Sequence, residues 1–327
     1  MGEEENQREE SMRFHVPMRI VVAFIAIILL DLFCMIRFPS VVKEYKIYKK
    51  AEQRMEQGYT SAALRDLYEV AENHTNSIPI LVKLVRLSMR SGNYDMAGYI
   101  FDTYLVGKDL EENVYNEMDS YYNQLNAYYT TYDAVSAIYE TYDTSTSGDT
   151  NDRAIINLNA DLQNLLKEDG MNQAFVHYYL ANSSINLEDA LNEYLACYQL
   201  DSECNDVRVQ LAIIYRRMGE LDKARQYAEE ALKIDVEDSG AWRAMATIAL
   251  VDGNLTDGLE DAKKAYELEP DGIYIRDTYL VALHVNNQAE QEKVIKDEML
   301  KADERLDADM ESLLKGETTL TEYYIGD

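Results

Sequence analysis

Small residues recur along this chain at a fixed spacing, and that spacing restricts the fold more than any other feature. In the stretch AWRAMATIALVDGNLTDGLEDAKKAYELEP, residues 241–270, the small residues include Ala246, Gly258, Ala262 and Ala265. A matching pattern begins 34 residues earlier, in VRVQLAIIYRRMGELDKARQYAEEALKIDV. Two antiparallel helices pack closely only where the side chains at their crossing are small. The pattern therefore predicts stacked helix pairs, each of which buries its apolar face against the next pair.

The two best-matched units begin at Asn205 and Ser239, and each has a glycine, Gly219 or Gly253, between its helices. Glycine permits the positive φ of a tight turn, and Pro270 ends the second helix of the later unit. This arrangement resembles the tetratricopeptide repeat, with alanine in place of the family's glycine at the eighth position. The resemblance implies an all-α solenoid of antiparallel helix pairs. It also implies a concave groove, lined by the first helix of each pair, that binds proteins or peptides.

The same register extends in both directions along the chain with less regular matches. Further units are predicted from residues 171 and 273, so that 153–288 forms a block of repeats that begins with a separate helix. A second block of degenerate helix pairs is predicted at 44–142. The pattern leaves open whether the two blocks stack into one continuous solenoid. The remaining predicted segments are a polar N-terminal tail at 1–18, an anchor at 19–38, a loop at 143–152, a single charged capping helix at 289–315 and a flexible tail at 316–327.

The anchor is predicted from an apolar run near the N-terminus. Ile20 to Ile36 spans 17 residues, with Asp31 as the only charge. As a helix this run is about 25 Å long, enough for one transmembrane segment. No small-residue cleavage site follows it, which indicates an uncleaved anchor and not a signal peptide. The chain is therefore expected to be a single-pass membrane protein of a bacterial cell membrane, with one N-terminal transmembrane helix.

Two observations conflict on which side of the membrane the repeats lie. More basic residues follow the anchor than precede it, and the positive-inside rule then places the repeats in the cytoplasm. However, the Tyr/Asn/Asp/Thr-rich stretch at 113–133 is typical of exported bacterial domains, and long domains translocate largely regardless of charge. We interpret the repeats as extracytoplasmic, with the cytoplasmic alternative open.

Charge and motif content exclude several classes of function. The net charge of −29 disfavours nucleic acid, whose phosphates require clustered Lys and Arg. The sequence has no nucleotide-binding, hydrolase or metal-ligand motif, so we expect no enzymatic activity, no cofactor and no metal. Cys197 and Cys204, if they share one helix, lie about 10 Å apart, which is too far for a disulfide.

The candidate binding residues are those that the repeat register places in the groove. Three of them, Arg216, Arg217 and Arg243, form a positive spot, and an arginine fork suits a carboxylate. The resemblance therefore implies a protein or peptide partner, with an acidic C-terminus as the sharper hypothesis. Pairing of these arginines with nearby acids is the alternative. The predicted groove residues are Phe175, Tyr179, Asn182, Ile213, Arg216, Arg217, Arg243, Thr247 and His284.

The family's carboxylate clamp is not matched residue for residue. That clamp uses a lysine at the fifth repeat position and an asparagine at the ninth. Here the two positions hold Phe175 and Tyr179 in one unit, and Val209 and Ile213 in the next. If this groove binds a carboxylate, it does so with other residues.

The favoured function is a non-enzymatic, membrane-anchored scaffold in an envelope assembly or export complex. One alternative is a structural protein that self-associates into a homo-oligomer through the tyrosines at 121, 122, 128 and 129. Another is an enzyme with an unrecognised site.

Overall fold

The structure is a computed structural model that describes residues 18–73, 77–142, 149–204, 206–302 and 304–325. The chain divides into two compact units between Lys50 and Ala51. The described part of the first unit lies in one helix, α1 (Met18–Glu56), whose last residues belong to the second unit. The polar tail predicted at 1–18 lies outside the described residues except for Met18.

Among the residues that the structure describes, we found no helix long and apolar enough to cross a membrane. The predicted anchor at 19–38 includes Ile20 and residues 34–38, whose side chains lie outside the described set.

The second unit is built from helices joined by short turns. They comprise α2 (Thr60–Asn73), α3 (Ile78–Arg90), α4 (Tyr94–Ile100), a π-helical turn (Phe101–Leu105), α5 (Glu112–Thr141), α6 (Asp149–Leu165), α7 (Gln173–Asn182), α8 (Leu187–Leu200), α9 (Val207–Arg217), α10 (Leu221–Ile234), α11 (Ser239–Val251), α12 (Leu255–Leu268), α13 (Ile273–Val285), α14 (Ala289–Lys301), α15 (Ala308–Leu314) and α16 (Leu320–Ile325). Helix pairs α7–α8, α9–α10, α11–α12 and α13–α14 follow the predicted units, which confirms the all-α solenoid of helix pairs.

The small residues of the repeat lie where the helices cross, as predicted. Ala212 and Ala246, on the first helices of their units, are fully buried, and so is Ala262 on α12. At Gly258 an added Cβ would lie only 2.7 Å from Cγ of Leu250 on the preceding helix. The crossing of α11 and α12 therefore has no room for a side chain at this position.

The first helices of successive pairs form the inner layer of the solenoid. Helix α11 contacts both α9 and α13 in addition to its own partner α12. Helix α16 lies against this layer and contacts both α9 and α11. The last described helix, α16, therefore packs on the inner layer of the solenoid.

The two predicted blocks contact each other directly. Thr60 Oγ1 donates a hydrogen bond of 2.5 Å to the main-chain oxygen of Ile234, and Ser61 N donates one of 3.2 Å to Asp235 Oδ2. Val236 N donates to the oxygen of Gly58 at 2.9 Å. The start of α2 thus packs on the turn that follows α10, despite a separation of 174 residues.

Four segment predictions are wrong in detail. At the end of the block of helix pairs predicted at 44–142, residues 112–141 form one continuous 30-residue helix, α5, because this segment contains neither glycine nor proline to end it. The loop predicted at 143–152 is shorter, since α6 begins at Asp149. Residues 143–148 lie outside the described set.

The predicted capping helix at 289–315 is also wrong, because it is broken into α14 and α15. Between the two helices, Glu304 accepts a hydrogen bond of 2.6 Å from Arg276 Nη1, and Asp307 Oδ1 caps α15 by accepting from Met310 N at 2.7 Å. A new helix start therefore replaces the continuation of α14. In the flexible tail predicted at 316–327, residues 320–325 are instead the ordered helix α16, and Tyr324 is buried.

Candidate functional site

The candidate site lies on the inner layer, where α9 and α11 bring three arginines together. Arg216 ends up buried, with 6% of its surface exposed, whereas Arg217 at the end of α9 is exposed. Arg243 lies on α11 and is partly buried. Burial, reinforced by the neighbouring charges of Arg243 and Arg217, lowers the pKa of Arg216 to about 10. Arg216 therefore still carries a positive charge at neutral pH.

Arg216 is the residue that holds α16 in place. Its Nη1 donates a short hydrogen bond to the main-chain oxygen of Tyr324. Its guanidinium carbon lies 5.3 Å from the centre of the Tyr324 ring, within the range of a cation–π interaction. Tyr324 itself is only 8% exposed. One side chain of the groove thus binds both the backbone and the ring of a single residue.

The hydrogen-bonding capacity of Arg216 is not filled. Its Nε is buried and has no hydrogen-bond partner, and Arg216 forms no ion pair within the described ranges. An unsatisfied buried donor costs about 1–3 kcal/mol, and more when the group is charged. The site therefore has an unmet preference for an additional acceptor, above all for a carboxylate.

Arg243 is held by α13. Its Nε donates to the main-chain oxygen of Tyr274 at 3.1 Å and to Thr278 Oγ1 at 3.3 Å. Its guanidinium carbon lies 5.2 Å from the centre of the Tyr274 ring. Burial lowers the pKa of the Arg243 guanidinium, while Asp277 opposes that shift. Arg243 thus keeps its charge beside Arg216 and is fixed by neutral partners.

Asp277 adds a titratable carboxyl group near the arginines. Burial, reinforced by Asp307 and Glu304, raises the pKa of Asp277 to about 6, and Arg243 only partly offsets this. The charge of this side chain therefore changes between mildly acidic and neutral pH.

Three other predicted groove residues lie in an aromatic cluster on α7. Phe175 is buried, and its ring centre lies 4.8 Å from that of Tyr179 and 4.8 Å from that of Tyr128 on α5. Asn182 is exposed and accepts a hydrogen bond of 2.5 Å from the hydroxyl of Tyr194. Packing between helices occupies Phe175, so it does not offer a surface to a partner.

The remaining predicted residues have structural contacts. Ile213 is partly buried against a core cluster that includes Val209. Thr247 is buried and donates to the oxygen of Ala244 at 2.9 Å, and His284 Nδ1 lies 3.3 Å from a carboxylate oxygen of Glu292 on α14. The structure therefore brings the three arginines together at one place and Phe175 and Tyr179 together at another.

The four tyrosines considered for self-association differ in burial: one is buried, Tyr121 and Tyr129 are partly buried, and one is exposed. Tyr128 is buried, and the ring of Tyr129 lies 5.4 Å from it. Tyr122 is exposed, with its ring centre 5.4 Å from that of Phe101. This stretch of α5 thus keeps part of the predicted aromatic surface exposed, above all at Tyr122, and self-association stays a prediction.

Helix α16 is not among the elements predicted from the sequence, although a local signal for it exists. Thr319 and Glu322 form a capping box, in which Thr319 N donates to Glu322 Oε2 at 2.7 Å and Glu322 N donates to Thr319 Oγ1 at 3.2 Å. Leu320 and Tyr323 pack on the core cluster in which Tyr324 is buried. A T-x-x-E box followed by apolar residues at helical spacing would have predicted this short helix.

The two cysteines do not share a helix, which was the condition for the predicted separation of about 10 Å. Cys197 lies on α8, but α8 ends at Leu200, so that Cys204 is not on the same helix. Both are free, buried thiols, and a hydrogen bond between Cys204 and Cys197, together with burial, raises the pKa of Cys204. Within the part of the chain that the structure describes, no cluster of three or more His, Cys, Asp or Glu residues could hold a metal.

Comparison with known proteins identifies the repeat in the middle of this site. Residues 205–248 match the sequence model of the tetratricopeptide repeat, a segment that contains all three arginines. No curated protein matches the chain.

Several solved structures resemble the chain with low scores. A tetratricopeptide repeat protein from Parabacteroides merdae is 14% identical, with 85% of this chain and 98% of that chain covered and a TM-score of 0.42. Yeast Tom70 is 13% identical, with coverages of 78% and 61% and a TM-score of 0.36. The P58(IPK) TPR domain is 15% identical, with coverages of 91% and 86% and a TM-score of 0.35. At scores this low, none of these resemblances bears on function.

Proposed function

We propose that this chain is a non-enzymatic, membrane-anchored scaffold whose inner groove binds a peptide segment of another protein. One observation carries the proposal: the buried guanidinium of Arg216 already binds a short segment of the chain through backbone and ring, and its Nε has no partner among the described residues. A tetratricopeptide repeat is a scaffold of helix pairs, and its stacked first helices provide an extended binding surface. In this proposal the stacked repeats form the groove, and Arg216 is the residue that binds the peptide within it.

The partner class follows from the charge of the groove. Arg216, Arg217 and Arg243 form a local positive site in a chain of net charge −29. A carboxylate at the position of the Tyr324 carbonyl would accept a charge-assisted hydrogen bond from Nη1 of Arg216. Such a bond is stronger than a bond to a neutral carbonyl. We therefore propose that the partner presents a carboxylate, with an acidic C-terminus as the favoured form.

Membrane anchoring is supported by the surface of α1. The large apolar side chains of Val22, Phe24, Ile27 and Leu30 are all exposed on this helix. An apolar surface of this kind is costly in water and is favourable in lipid. We propose that α1 anchors the repeats to a bacterial membrane, with the repeats outside the cytoplasm, in an envelope assembly or export complex. Anchoring would raise the effective concentration of partners at that surface.

The side of the membrane is tested by thiol labelling in intact cells. Lys263 lies exposed on α12, so a Lys263→Cys variant presents a reactive thiol, whereas Cys197 and Cys204 are buried. Labelling by an impermeant reagent before lysis is expected. Labelling only after lysis would place the repeats in the cytoplasm.

Photo-crosslinking in living cells tests the groove. A photoreactive residue replaces either Arg217, which is exposed in the groove, or Lys263, which is exposed on a second helix. A discrete crosslinked partner is expected from position 217 and not from position 263, and Arg216→Gln in the same chain should abolish it. Equal crosslinking from both positions, or none from position 217, would contradict the proposal.

A further inference from the structure

Helix α16 occupies the groove in the way that a bound peptide would. It is a separate six-residue helix, and its contacts are with α9 and α11 of the inner layer and with α15 before it. Its N-terminus is closed by its own capping box between Thr319 and Glu322. The segment therefore forms its helical turn with local bonds and uses the groove for its aromatic end.

The interaction with the groove is concentrated in a few side chains. Tyr324 is buried in a core cluster with Leu250 and Tyr279, and Leu320 and Tyr323 pack at the edge of that cluster. Arg216 adds the hydrogen bond to the Tyr324 carbonyl and the cation–π contact with its ring. A buried aromatic side chain beside an arginine is the typical core of a peptide-binding hot spot.

The fit of α16 is incomplete at one point. Within the part of the chain that the structure describes, Arg216 Nε is buried without a partner, because α16 offers Arg216 a single neutral carbonyl oxygen. The one carboxylate of α16, Glu322, instead accepts hydrogen bonds from Thr319. A ligand that brings a carboxylate to Arg216 would gain an interaction that α16 lacks.

We propose that α16 is an internal ligand that occupies the groove, and that the external partner is a short peptide with an aromatic side chain for the Tyr324 pocket and a carboxylate for Arg216. This inference rests on the proposed function, since it concerns the same groove. It adds a regulatory step: the partner must displace α16 before it binds. The tether places α16 at an effective concentration of about 1 mM, so that free peptides of similar affinity compete poorly.

The test uses the full chain and two synthetic peptides. Both are fluorescein-labelled ETTLTEYY, the sequence of residues 317–324, one with a free C-terminal carboxylate and one with a C-terminal amide. The free acid places its carboxylate where the chain has the Tyr324 carbonyl. Binding is measured by fluorescence anisotropy to the wild-type chain, to Tyr324→Ala and to the control Tyr115→Ala, whose side chain is exposed.

If the partner must displace α16, the variants should differ in affinity in a specific order. If α16 occupies about 90% of the wild-type grooves, the apparent affinity of the wild type for the peptide is about tenfold lower than that of an open groove. Tyr324→Ala should therefore bind the free acid about tenfold more tightly than the wild type or Tyr115→Ala does. The free acid should bind Tyr324→Ala more tightly than the amide. Adding Arg216→Gln should remove that difference.

A second variant keeps the proposal testable if Tyr324→Ala does not fold. Thr319→Ala removes the capping box on the exposed side of α16 and leaves the groove residues intact. It should also increase affinity for the free acid relative to wild type. Equal affinity of wild type, Tyr324→Ala and Thr319→Ala for the free acid would overturn the internal-ligand proposal, as would equal affinity of acid and amide.

Failure of this inference differs from failure of the proposed function. If position 217 crosslinks a partner in cells but Tyr324→Ala leaves peptide affinity unchanged, the scaffold stands and the internal ligand is wrong. If Tyr324→Ala increases peptide affinity but position 217 crosslinks no partner, α16 is an internal ligand and the scaffold function is wrong.

Discussion

The guanidinium of Arg216 lies 5.3 Å from the centre of the Tyr324 ring, across 108 residues of sequence, and donates to the carbonyl of the same tyrosine. This contact joins the first helix of the best-matched repeat to the last described helix of the chain. Because of this contact, the inner groove holds a short helical segment of the same chain.

The crossing of α11 and α12 should not tolerate even one added methyl group. In Gly258→Ala the new Cβ would lie 2.7 Å from Leu250 Cγ, so we expect destabilisation by about 1–3 kcal/mol. Chemical denaturation of the purified chain measures this. Thr256→Ala, on the exposed side of the same helix, is the control and should change stability by less than about 0.5 kcal/mol. Equal effects of the two substitutions would contradict close packing at this crossing.

The contact between the two blocks can be tested with a matched pair of glycines. Gly92 and Gly107 both have positive φ, +69° and +75°, so alanine is strained at either position. Only at Gly92 would the added Cβ meet another segment, 1.8 Å from the oxygen of Glu203, whereas Gly107 has no neighbour within 4 Å. Gly92→Ala should therefore destabilise the chain by at least about 1 kcal/mol more than Gly107→Ala does.

Hydrogen exchange identifies where that difference arises. Gly92→Ala should increase exchange in α3 and α4 and in the turn after α8, because Gly92 lies between these two helices and faces Glu203 in that turn. If the two alanine variants have the same stability and exchange, the blocks do not pack as described.

Asp277 should make stability depend on pH. The pKa of this carboxyl is raised to about 6 in the folded chain, above its ordinary value of 3.8. The folded state therefore binds more protons than the unfolded state between these values, and the contribution of Asp277 decreases as pH rises through 6. Asp277→Asn should raise the Tm at pH 7.5, and the gain should vanish near pH 4. The exposed Asp257→Asn is the control, and a pH-independent effect of Asp277→Asn would contradict the assignment.

Arg276 should be a structural residue and not a groove residue. Its side chain is 6% exposed, pairs with Glu304 at 2.6 Å and donates to the oxygen of Pro270. Arg276→Ala should cost about 3 kcal/mol, since it leaves the partly buried Glu304 unpaired. Lys315→Ala breaks an exposed pair with Glu311 and should cost less than about 1 kcal/mol. Similar unfolding midpoints for the two variants would contradict this account.

Local spacing was sufficient to predict the repeats but not the occupant of the groove. Ala246 and Gly258 could be placed because one helix crossing determines both residues, and the register brought Arg216 and Arg243 to one face. The burial of Arg216 by Tyr324 depends on a contact over 108 residues, which no periodicity encodes. The break between α14 and α15 was not predicted for a similar reason. Glu304, which lies between these helices, pairs with Arg276, and the two residues are 28 positions apart in the sequence.

The most direct measurement of the central claim is the affinity of the free-acid peptide ETTLTEYY for the full chain carrying Tyr324→Ala, with and without Arg216→Gln. The account predicts saturable binding that is at least about tenfold weaker when Arg216 is replaced, because the charge-assisted hydrogen bond between the guanidinium and the peptide carboxylate is lost. Equal binding by the two variants, or no binding by either, would contradict the claim that this groove recognises a peptide through Arg216.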